Sequence, residues 1–372
     1  MIEWSNANKY NSFNSFKGLT YYKQYENIVD WMNHKIDELI PPIECNLDPI
    51  ARCNLSCSFC IGQRYLRNHR EEIGNMQELP SEYMYRLVTF LSEWGVKGLC
   101  ISGGGEPSLH KSIGDIISYA SYKGMDVSFV TNATNIDDSL AESLLVCRWV
   151  ALSIDSADSE TYKKIKGADK FDAVVNNIKL LSEFRRASSY TKVDLCFKYL
   201  ILPENITSIY NACKLAKELG VQDFHCRPVD WERKDMKDSG KRDYDMNLIE
   251  EQFMKCHEEE TPDFHVYTVT HKFSPEFHVI HDFKKCLASP LIIPILTDGN
   301  AYNCVEKKMM ANFRLGSCYP DPENILTWWG SDKHRDLIKS VNINGCSRCI
   351  YAQYNRQIED VVMQDKMCRS FP

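Results

Sequence analysis

The stretch ARCNLSCSFCIG, residues 51–62, places Cys53, Cys57 and Cys60 within eight residues. A structural zinc site uses four protein ligands, so this triplet is one ligand short unless a fourth comes from elsewhere in the chain. Three is also an odd number of thiols for disulfide pairing. Metal sites that react with another molecule keep one coordination position open. The spacing leaves open whether a fourth ligand comes from elsewhere in the chain or a coordination position is kept free for reaction.

The first residues and the apolar runs indicate in which cellular compartment the chain works, and so what its cysteines can do. The first residues, MIEWSNANKYNS, contain neither the basic region nor the apolar run of a secretory signal. The apolar run PLIIPIL, residues 290–296, is far shorter than the roughly 18 residues of a membrane span. We therefore expect a soluble, cytoplasmic protein, in which clustered cysteines serve metal binding or catalysis.

The composition is that of an ordinary globular protein with many thiols. The chain has 372 residues, of which 44% are hydrophobic and 26% are charged, and this length suits one large domain with a smaller one. Its net charge of -7 gives no basic footprint for nucleic acid or for an anionic membrane. Sixteen cysteines are a high count for an intracellular chain, so we expect several of them to have a function.

Apolar or β-branched runs that are typical of buried strands alternate with helical patterns. Residues 81–95 carry apolar side chains at helical spacing, with Ser81 as the expected N-cap, and residues 204–219 are similar. Six strand–helix units predict an α/β fold with a parallel sheet, and six are too few to close an eight-stranded barrel. We therefore expect an open, partial (β/α)6 barrel. The six runs are residues 43–48, 97–102, 126–131, 148–154, 193–202 and 223–229.

The cysteine triplet falls in the loop after the first predicted strand, where parallel sheets place their chemistry. The pattern C-x3-C-x2-C with Phe59 before the third cysteine, and SGGGEP at residues 102–107, together resemble the radical S-adenosylmethionine (SAM) enzymes. The resemblance implies a [4Fe-4S] cluster on the three thiols. Its fourth iron would bind the amino and carboxylate groups of SAM, so the missing ligand is the cosubstrate.

The resemblance also implies which residues bind SAM. In the glycine-rich segment Glu106 would accept from the SAM ammonium, although such glycines can simply permit a turn. Ser153 and Asp155 end the fourth strand, where a core serine and a helix N-cap are the alternatives. Lys198 on the fifth strand either points inward at the SAM carboxylate or extends outward to solvent. The full predicted cofactor-binding set is Phe59, Gly104, Gly105, Glu106, Ser153, Asp155 and Lys198.

A second cysteine pattern follows the core. Cys286, Gly299 and Cys304, with a later C-x2-C pair, resemble the start of the SPASM extension, which carries auxiliary clusters in some radical SAM enzymes. The segment ILTDGNAYNC independently predicts a β-hairpin with Asp-Gly at its tip. No further cysteines follow at the spacing of the two-cluster form. The resemblance therefore implies the shorter twitch variant, with one auxiliary [4Fe-4S] cluster on Cys286, Cys304, Cys346 and Cys349.

Three questions about the cysteines stay open at this stage. The same four C-terminal thiols could hold a structural zinc ion. Cys318 or Cys368 could replace one of the four ligands. Seven further cysteines lie in apolar strand or helix patterns and are predicted to be small core residues. They are Cys45, Cys100, Cys147, Cys196, Cys213, Cys226 and Cys256.

These patterns divide the chain into four predicted segments. Residues 1–42 form an N-terminal extension, and residues 43–230 form the radical SAM core. Residues 231–285 form a connecting insertion, and residues 286–372 form the twitch-type auxiliary domain.

The resemblance implies reductive cleavage of SAM to a 5′-deoxyadenosyl radical, which abstracts hydrogen from a substrate C–H bond. An external donor such as flavodoxin or ferredoxin would supply the electron. One auxiliary cluster favours an oxidoreductase that dehydrogenates a polar small molecule, such as a sugar, an aminocyclitol or an anionic compound. The alternative is modification of a ribosomal peptide by crosslinking or epimerisation, although only about 40 residues precede the first strand and leader-binding domains are longer.

Acid and base candidates lie at the end of the sixth strand, at His225, Arg227 and Asp230. His225 and Arg227 share one strand face, and an ion network that closes the sheet is their alternative role. Basic residues recur every third position in GQRYLRNHR, at 62–70. They form either a solvated face or a site for a phosphate or carboxylate of the substrate.

Overall fold

The computed structural model describes residues 15–62, 76–191, 193–229, 244–273, 281–346 and 349–364. Ten strands in these ranges form one sheet. The strands are Glu44–Leu47 (β1), Gly98–Ile101 (β2), Asp126–Thr131 (β3), Trp149–Ser153 (β4), Asp194–Ile201 (β5), Asp223–Pro228 (β6), His265–Thr268 (β7), Ile292–Ile295 (β8), Asn300–Tyr302 (β9) and Arg314–Ser317 (β10). The helices are Tyr22–Met32 (α1), Ser81–Trp94 (α2), Ile113–Tyr122 (α3), Asp138–Leu144 (α4), Ser159–Lys166 (α5), Phe171–Ala187 (α6), Ile209–Glu218 (α7), Met246–Glu258 (α8), Ile325–Trp328 (α9), Asp332–Ser340 (α10) and Ala352–Gln357 (α11).

The sheet is open and mostly parallel, which confirms the predicted fold class. Strands β1 to β7 pair in sequence order and in parallel. On the other side of β1, strand β8 also pairs in parallel, and β9 and β10 follow as antiparallel strands. Since helices separate the parallel strands along the chain, the strands' carboxyl ends lie at one edge of the sheet.

The strand count differs from the prediction in two ways. Strand β7 extends the parallel sheet beyond the six predicted strands. Its sequence HVYT has a single buried side chain, so the sequence contains no apolar run that predicts a strand there. The predicted hairpin is present as β8 and β9, with Gly299 at φ +71° in its turn, and it joins the main sheet beside β1. The sheet thus runs through three of the four predicted segments, and the division itself stays a prediction.

Helix α2 shows how the local pattern builds the fold. Its predicted apolar stripe, which includes Met84, Leu87 and Leu91, is fully buried against the sheet. The expectation that Ser81 caps this helix is wrong. Pro80 holds the N-cap position, and Ser81 begins the helix with its Oγ 2.8 Å from Ser112 Oγ. Proline without an N–H suits the edge of a helix, so the start lies one residue earlier than expected.

The N-terminal helix α1 packs against the C-terminal part of the chain. Trp31 Nε1 donates to the Gly330 carbonyl at 2.8 Å, and Arg335 Nε donates to the Trp31 carbonyl at 3.0 Å.

Of the seven cysteines predicted to be core residues, six are buried and Cys100 is partly buried. In the ranges described above, no helix combines the length and the apolar character needed to cross a bilayer.

Candidate functional site

The three-cysteine loop follows β1 and is anchored to the end of α5. Ser56 N donates to the Lys166 carbonyl at 3.0 Å, and Ser58 N donates to the Ile165 carbonyl at 3.1 Å. Gly167 ends this helix at φ +70°, and a Cβ there would lie 2.1 Å from Ser56 Oγ. The helix end therefore abuts the loop too closely for a side chain. Cys53, Cys57 and Cys60 are all partly exposed.

The glycine-rich turn after β2 packs directly on this loop. Gly105 N donates to the Ile50 carbonyl at 3.1 Å, and Glu106 N donates to the Arg52 carbonyl at 2.8 Å. A Cβ at Gly105 would lie 2.3 Å from the Arg52 carbonyl oxygen. Only glycine fits this approach of two backbones. The glycine-rich turn thus holds the backbone of residues 50–52, which lead into Cys53, in place.

Glu106 is 3% exposed, and its carboxylate joins the glycine turn to the end of β3. Its oxygens accept from Thr131 Oγ1 at 2.6 Å, from Asn132 N at 2.7 Å and from Ser108 N at 3.1 Å. Burial raises the pKa of Glu106 above its ordinary value, although these hydrogen bonds act to lower it. Asn132 Nδ2 in turn lies 3.9 Å from Cys53 Sγ. Glu106 therefore positions a neighbour of the cysteine loop, and its contact with SAM stays a prediction.

Asp155 forms a buried ion pair and is not a helix cap. Its Oδ2 lies 2.5 Å from Lys166 Nζ, and its Oδ1 accepts from Leu200 N at 2.6 Å. The side chains of Asp155 and Lys166 are 1% and 3% exposed. Burial by itself lowers the pKa of Lys166, but the charges of Asp155 and Cys57 more than offset it, and the net pKa is raised. The N-cap of α5 is Asp158.

A cavity of about 340 Å³, which we call the lumen cavity, lies along one face of β4, β5 and β6, from Trp149 at the start of β4 to Asp155 beyond its end. It brings together five of the residues predicted for SAM binding or acid–base chemistry. Lys198 lines this cavity, and its contact with the SAM carboxylate stays a prediction. Lys272, which the sequence analysis missed, also lines it. The five predicted residues are Ser153, Asp155, Lys198, His225 and Arg227.

The lumen cavity is lined by three cationic side chains and by the carboxylates of Asp155 and Glu306. Lys198 Nζ lies 2.5 Å from His225 Nδ1, which fits an ammonium donating to a neutral imidazole. Burial lowers the pKa of His225 well below its ordinary value, and the charges of Lys198, Arg227 and Lys272 lower it further. The imidazole is therefore neutral at pH 7, and three cationic side chains surround it.

The four C-terminal cysteines predicted as ligands line one common cavity, which we call the thiol cavity. Glu306 N donates to Cys304 Sγ at 3.4 Å, and Asn355 Nδ2 donates to Cys349 Sγ at 3.7 Å. Cys318 does not line this cavity. It is fully buried in the hydrophobic core, where its Sγ donates to the Gly299 carbonyl at 3.1 Å. The four thiols that meet here are Cys286, Cys304, Cys346 and Cys349.

The donor set of the thiol cavity suits a cysteine-ligated cluster. Burial raises the pKa of Cys286 to about 11 and that of Cys304 to about 12, so both are protonated until a metal replaces the proton. In the part of the chain that the structure describes, no three metal-binding side chains are placed to share one ion. An iron–sulfur cubane gives each thiolate its own iron, so its ligands need not converge on one point.

The thiol cavity also contains a buried amide without partners. Asn303 is 1% exposed, and within the described residues neither its Nδ2 nor its Oδ1 has a hydrogen-bond partner. A buried polar group left in this state costs about 1–3 kcal/mol, so a ligand in the cavity is the expected partner.

Glu306 is the second residue that the sequence analysis missed. This residue lines the lumen cavity, the thiol cavity and a third cavity of about 220 Å³ between the cysteine loop, the glycine turn and residues 296–309. Lys308, two residues later, donates to Asn46 Oδ1 at 2.5 Å and to Asp48 Oδ1 at 2.8 Å on and after β1. The segment after Cys304 therefore reaches the carboxyl end of β1. The only sequence feature that pointed to Glu306 was its position two residues after Cys304, a predicted ligand.

Several predicted residues lie outside the described residues. They are Asp230, Cys368 and the three arginines at positions 64, 67 and 70.

The fold and the site together define an open α/β barrel with three thiols at the carboxyl edge of its parallel strands. Residues 47–216 match the family model described as the Radical SAM superfamily, so the chain contains a radical SAM domain. That family implies a [4Fe-4S] cluster and SAM.

Three comparisons with individual proteins agree with this domain. The chain is 33% identical over 141 residues to a probable GTP 3′,8-cyclase of Pyrococcus abyssi, and 31% identical over 131 residues to an S-adenosylmethionine-dependent nucleotide dehydratase of Flammeovirga pacifica. These matches cover 37% and 35% of the chain and 43% of each relative, so the chain spans less than half of their length. SuiB of Streptococcus suis bound to precursor peptide SuiA has a similar fold, with a TM-score of 0.62, 18% identity, and coverage of 88% of this chain and 73% of SuiB.

Proposed function

We propose that this chain is a radical SAM enzyme that dehydrogenates a small, polar, anionic molecule bound in the lumen cavity. The observation that carries the proposal is that the lumen cavity and the thiol cavity share Glu306 and Ile350 as walls. A one-electron acceptor held by the C-terminal thiols would therefore lie beside the substrate. Oxidation of a substrate radical needs such an acceptor.

Two sets of thiols would hold the iron. Cys53, Cys57 and Cys60 would hold the [4Fe-4S] cluster that takes SAM, and the four thiols of the thiol cavity would hold an auxiliary [4Fe-4S] cluster. When bound and reduced by flavodoxin or ferredoxin, the first cluster and SAM supply a 5′-deoxyadenosyl radical that takes a hydrogen atom from carbon. Gly105 and Glu106 hold the loop that carries these first thiols, through the backbone contacts described above.

The charges of the lumen cavity support an anionic substrate. Three cationic side chains, Lys198, Arg227 and Lys272, line it with two carboxylates, Asp155 and Glu306, so cations outnumber anions in its wall. Arginine and lysine together favour phosphate or carboxylate groups. Both relatives are named for nucleotide chemistry, as a GTP cyclase and a nucleotide dehydratase, and nucleotides carry phosphates. A phosphorylated sugar, aminocyclitol or nucleoside fits the cavity's charge.

Glu306 is the group that we assign to the proton. Loss of two hydrogens from a carbinol carbon and its hydroxyl requires that one leaves as an atom to the 5′-deoxyadenosyl radical. An auxiliary cluster on the four thiols would supply the acceptor for the remaining electron, and a base would take the hydroxyl proton. Glu306 lines both the lumen cavity and the thiol cavity, so it is placed to take that proton beside the acceptor.

The test uses the reconstituted, reduced enzyme with a panel of nucleoside phosphates, sugar phosphates and aminocyclitol phosphates. Mass spectrometry should find one product that is two hydrogens lighter than its substrate, with one SAM consumed per turnover. Deuterium placed at the oxidised carbon should appear in 5′-deoxyadenosine. A product of unchanged mass that carries solvent deuterium at carbon would indicate epimerisation and contradict the dehydrogenase assignment.

A ribosomal peptide as substrate is the competing outcome of the same assay. The overall fold of the chain is similar to that of SuiB in complex with its precursor peptide, and this similarity shows the fold alone. Turnover of peptides but of no phosphorylated small molecule would replace the proposed substrate class and leave the radical SAM chemistry in place.

A further inference from the structure

Asn303 stands out among the polar side chains around the thiol cavity. Asn355, on another wall, has both ends of its amide engaged, since Oδ1 accepts from Ala288 N at 2.8 Å and Nδ2 lies 3.7 Å from Cys349 Sγ. Asn303 is equally buried and lines the same cavity, yet the described residues offer no partner to either end of its amide. Its backbone is held firmly, because Asn303 N donates to the Phe313 carbonyl at 2.9 Å.

The chemistry of a cluster in this cavity would satisfy that amide. The sulfurs of an iron–sulfur cluster accept hydrogen bonds, and such bonds are one of the determinants of its reduction potential. Reduction adds negative charge to the cluster, so a donor stabilises the reduced form more than the oxidised form. Asn303 directly precedes Cys304, and both residues line the thiol cavity.

We propose that Asn303 Nδ2 donates a hydrogen bond to a sulfur of the auxiliary cluster and thereby raises the reduction potential of this cluster. Asn303 is then a positioning residue that sets how readily the cluster accepts an electron from the substrate radical. The inference rests on the auxiliary cluster of the proposed function. It does not depend on which substrate is oxidised.

The test uses the full chain with Cys53→Ala, Cys57→Ala and Cys60→Ala, so that about four irons remain and only the auxiliary cluster is observed. A redox titration followed by electron paramagnetic resonance then compares this protein with the same protein carrying Asn303→Leu. Leucine has a similar volume and no donor. At a fixed applied potential the ratio of reduced to oxidised cluster should fall about tenfold, which is about 59 mV for one electron.

A second readout separates this role from a structural one. Without iron, Asn303→Leu should unfold at the same or a higher urea concentration, because it removes two unpartnered buried polar atoms. Asn177→Leu makes the same chemical change on α6, where the amide donates to the Ala133 carbonyl at 2.9 Å. This control should lower the stability and leave the reduction potential unchanged.

Two results would overturn the inference, and they are distinguishable. If the three-alanine protein binds zinc or no metal, the auxiliary cluster itself is wrong, and the inference falls with it. If the protein holds iron but Asn303→Leu leaves the reduction potential unchanged, only the role of Asn303 is wrong. Should the leucine variant fail to assemble a cluster, Asn303→Ala is titrated under the same criterion.

Discussion

Replacing Lys166 by methionine tests the buried ion pair that supports the cysteine loop. Lys166 Nζ lies 2.5 Å from Asp155 Oδ2 and donates to the Ser153 carbonyl at 2.9 Å. Methionine keeps most of the apolar stem and removes the charge. Asp155 then keeps its bond from Leu200 N but has lost the cation that balances it. The variant therefore isolates one buried charge.

The exposure of the two partners sets the expected magnitude. The side chains are 3% and 1% exposed, and removing one partner of such a pair costs about 3–5 kcal/mol, since an uncompensated charge stays buried. Lys163 on the same helix provides the matched control. Its pair with Asp169 is 63% and 69% exposed, so Lys163→Met should cost no more than about 1 kcal/mol.

Urea unfolding of the iron-free chain, followed by circular dichroism, measures both variants. Adding Asp155→Asn to Lys166→Met should recover part of the lost stability, because the double variant no longer buries an unpaired charge. Equal stabilities of Lys166→Met and Lys163→Met would refute the reasoning. So would a double variant that is less stable than Lys166→Met alone.

Two further outcomes are expected. Gly105→Ala puts a Cβ 2.3 Å from the Arg52 carbonyl oxygen and should displace the loop that leads into Cys53, so the iron content after reconstitution should fall from about eight to about four per chain. The control Gly103→Ala, whose Cβ has its nearest contact at 3.3 Å, should keep about eight irons. Burial, aided by the charge of Arg335, lowers the pKa of His334 in the folded chain to about 3. Between pH 6.5 and pH 3 the unfolded chain therefore binds more protons than the folded chain, and the free energy of unfolding decreases as the pH falls. From pH 6.5 to pH 4.5 the wild-type chain should lose about 2 kcal/mol more than His334→Gln, as measured by urea unfolding, and equal losses would contradict the assignment.

The parallel strands were predictable because their signal is local. A strand that is covered on both faces is a nearly continuous apolar run, and each of the six predicted runs contains one of β1 to β6. Strand β7 gave no such signal, since it lies at the edge of the sheet and its first residue is exposed. The pairing of β8 with β1 joins segments about 250 residues apart, and no local pattern encodes it.

The meeting of the four C-terminal cysteines in one cavity was predictable because their spacing within the chain is itself the signal. The roles of other residues depend on contacts between distant segments. Lys166 ends a helix whose last turn also holds Lys163 and Lys164, and three such lysines are typical of a solvated face. Its burial against Asp155 follows only from the packing of α5 under the cysteine loop. Asn303 likewise reads as a turn residue until the four thiols are placed around it.

The pairing of β8 with β1 explains why one short segment reaches every cavity of the site. It places the hairpin next to the strand that leads into the cysteine loop. The residues after β9 are then close enough for Lys308 to bind Asp48, just after β1, and for Glu306 to line all three cavities. Because the hairpin shares the sheet, Cys304 and the lumen cavity are built on one continuous sheet. The proposed electron transfer from a substrate radical would need such a fixed spacing.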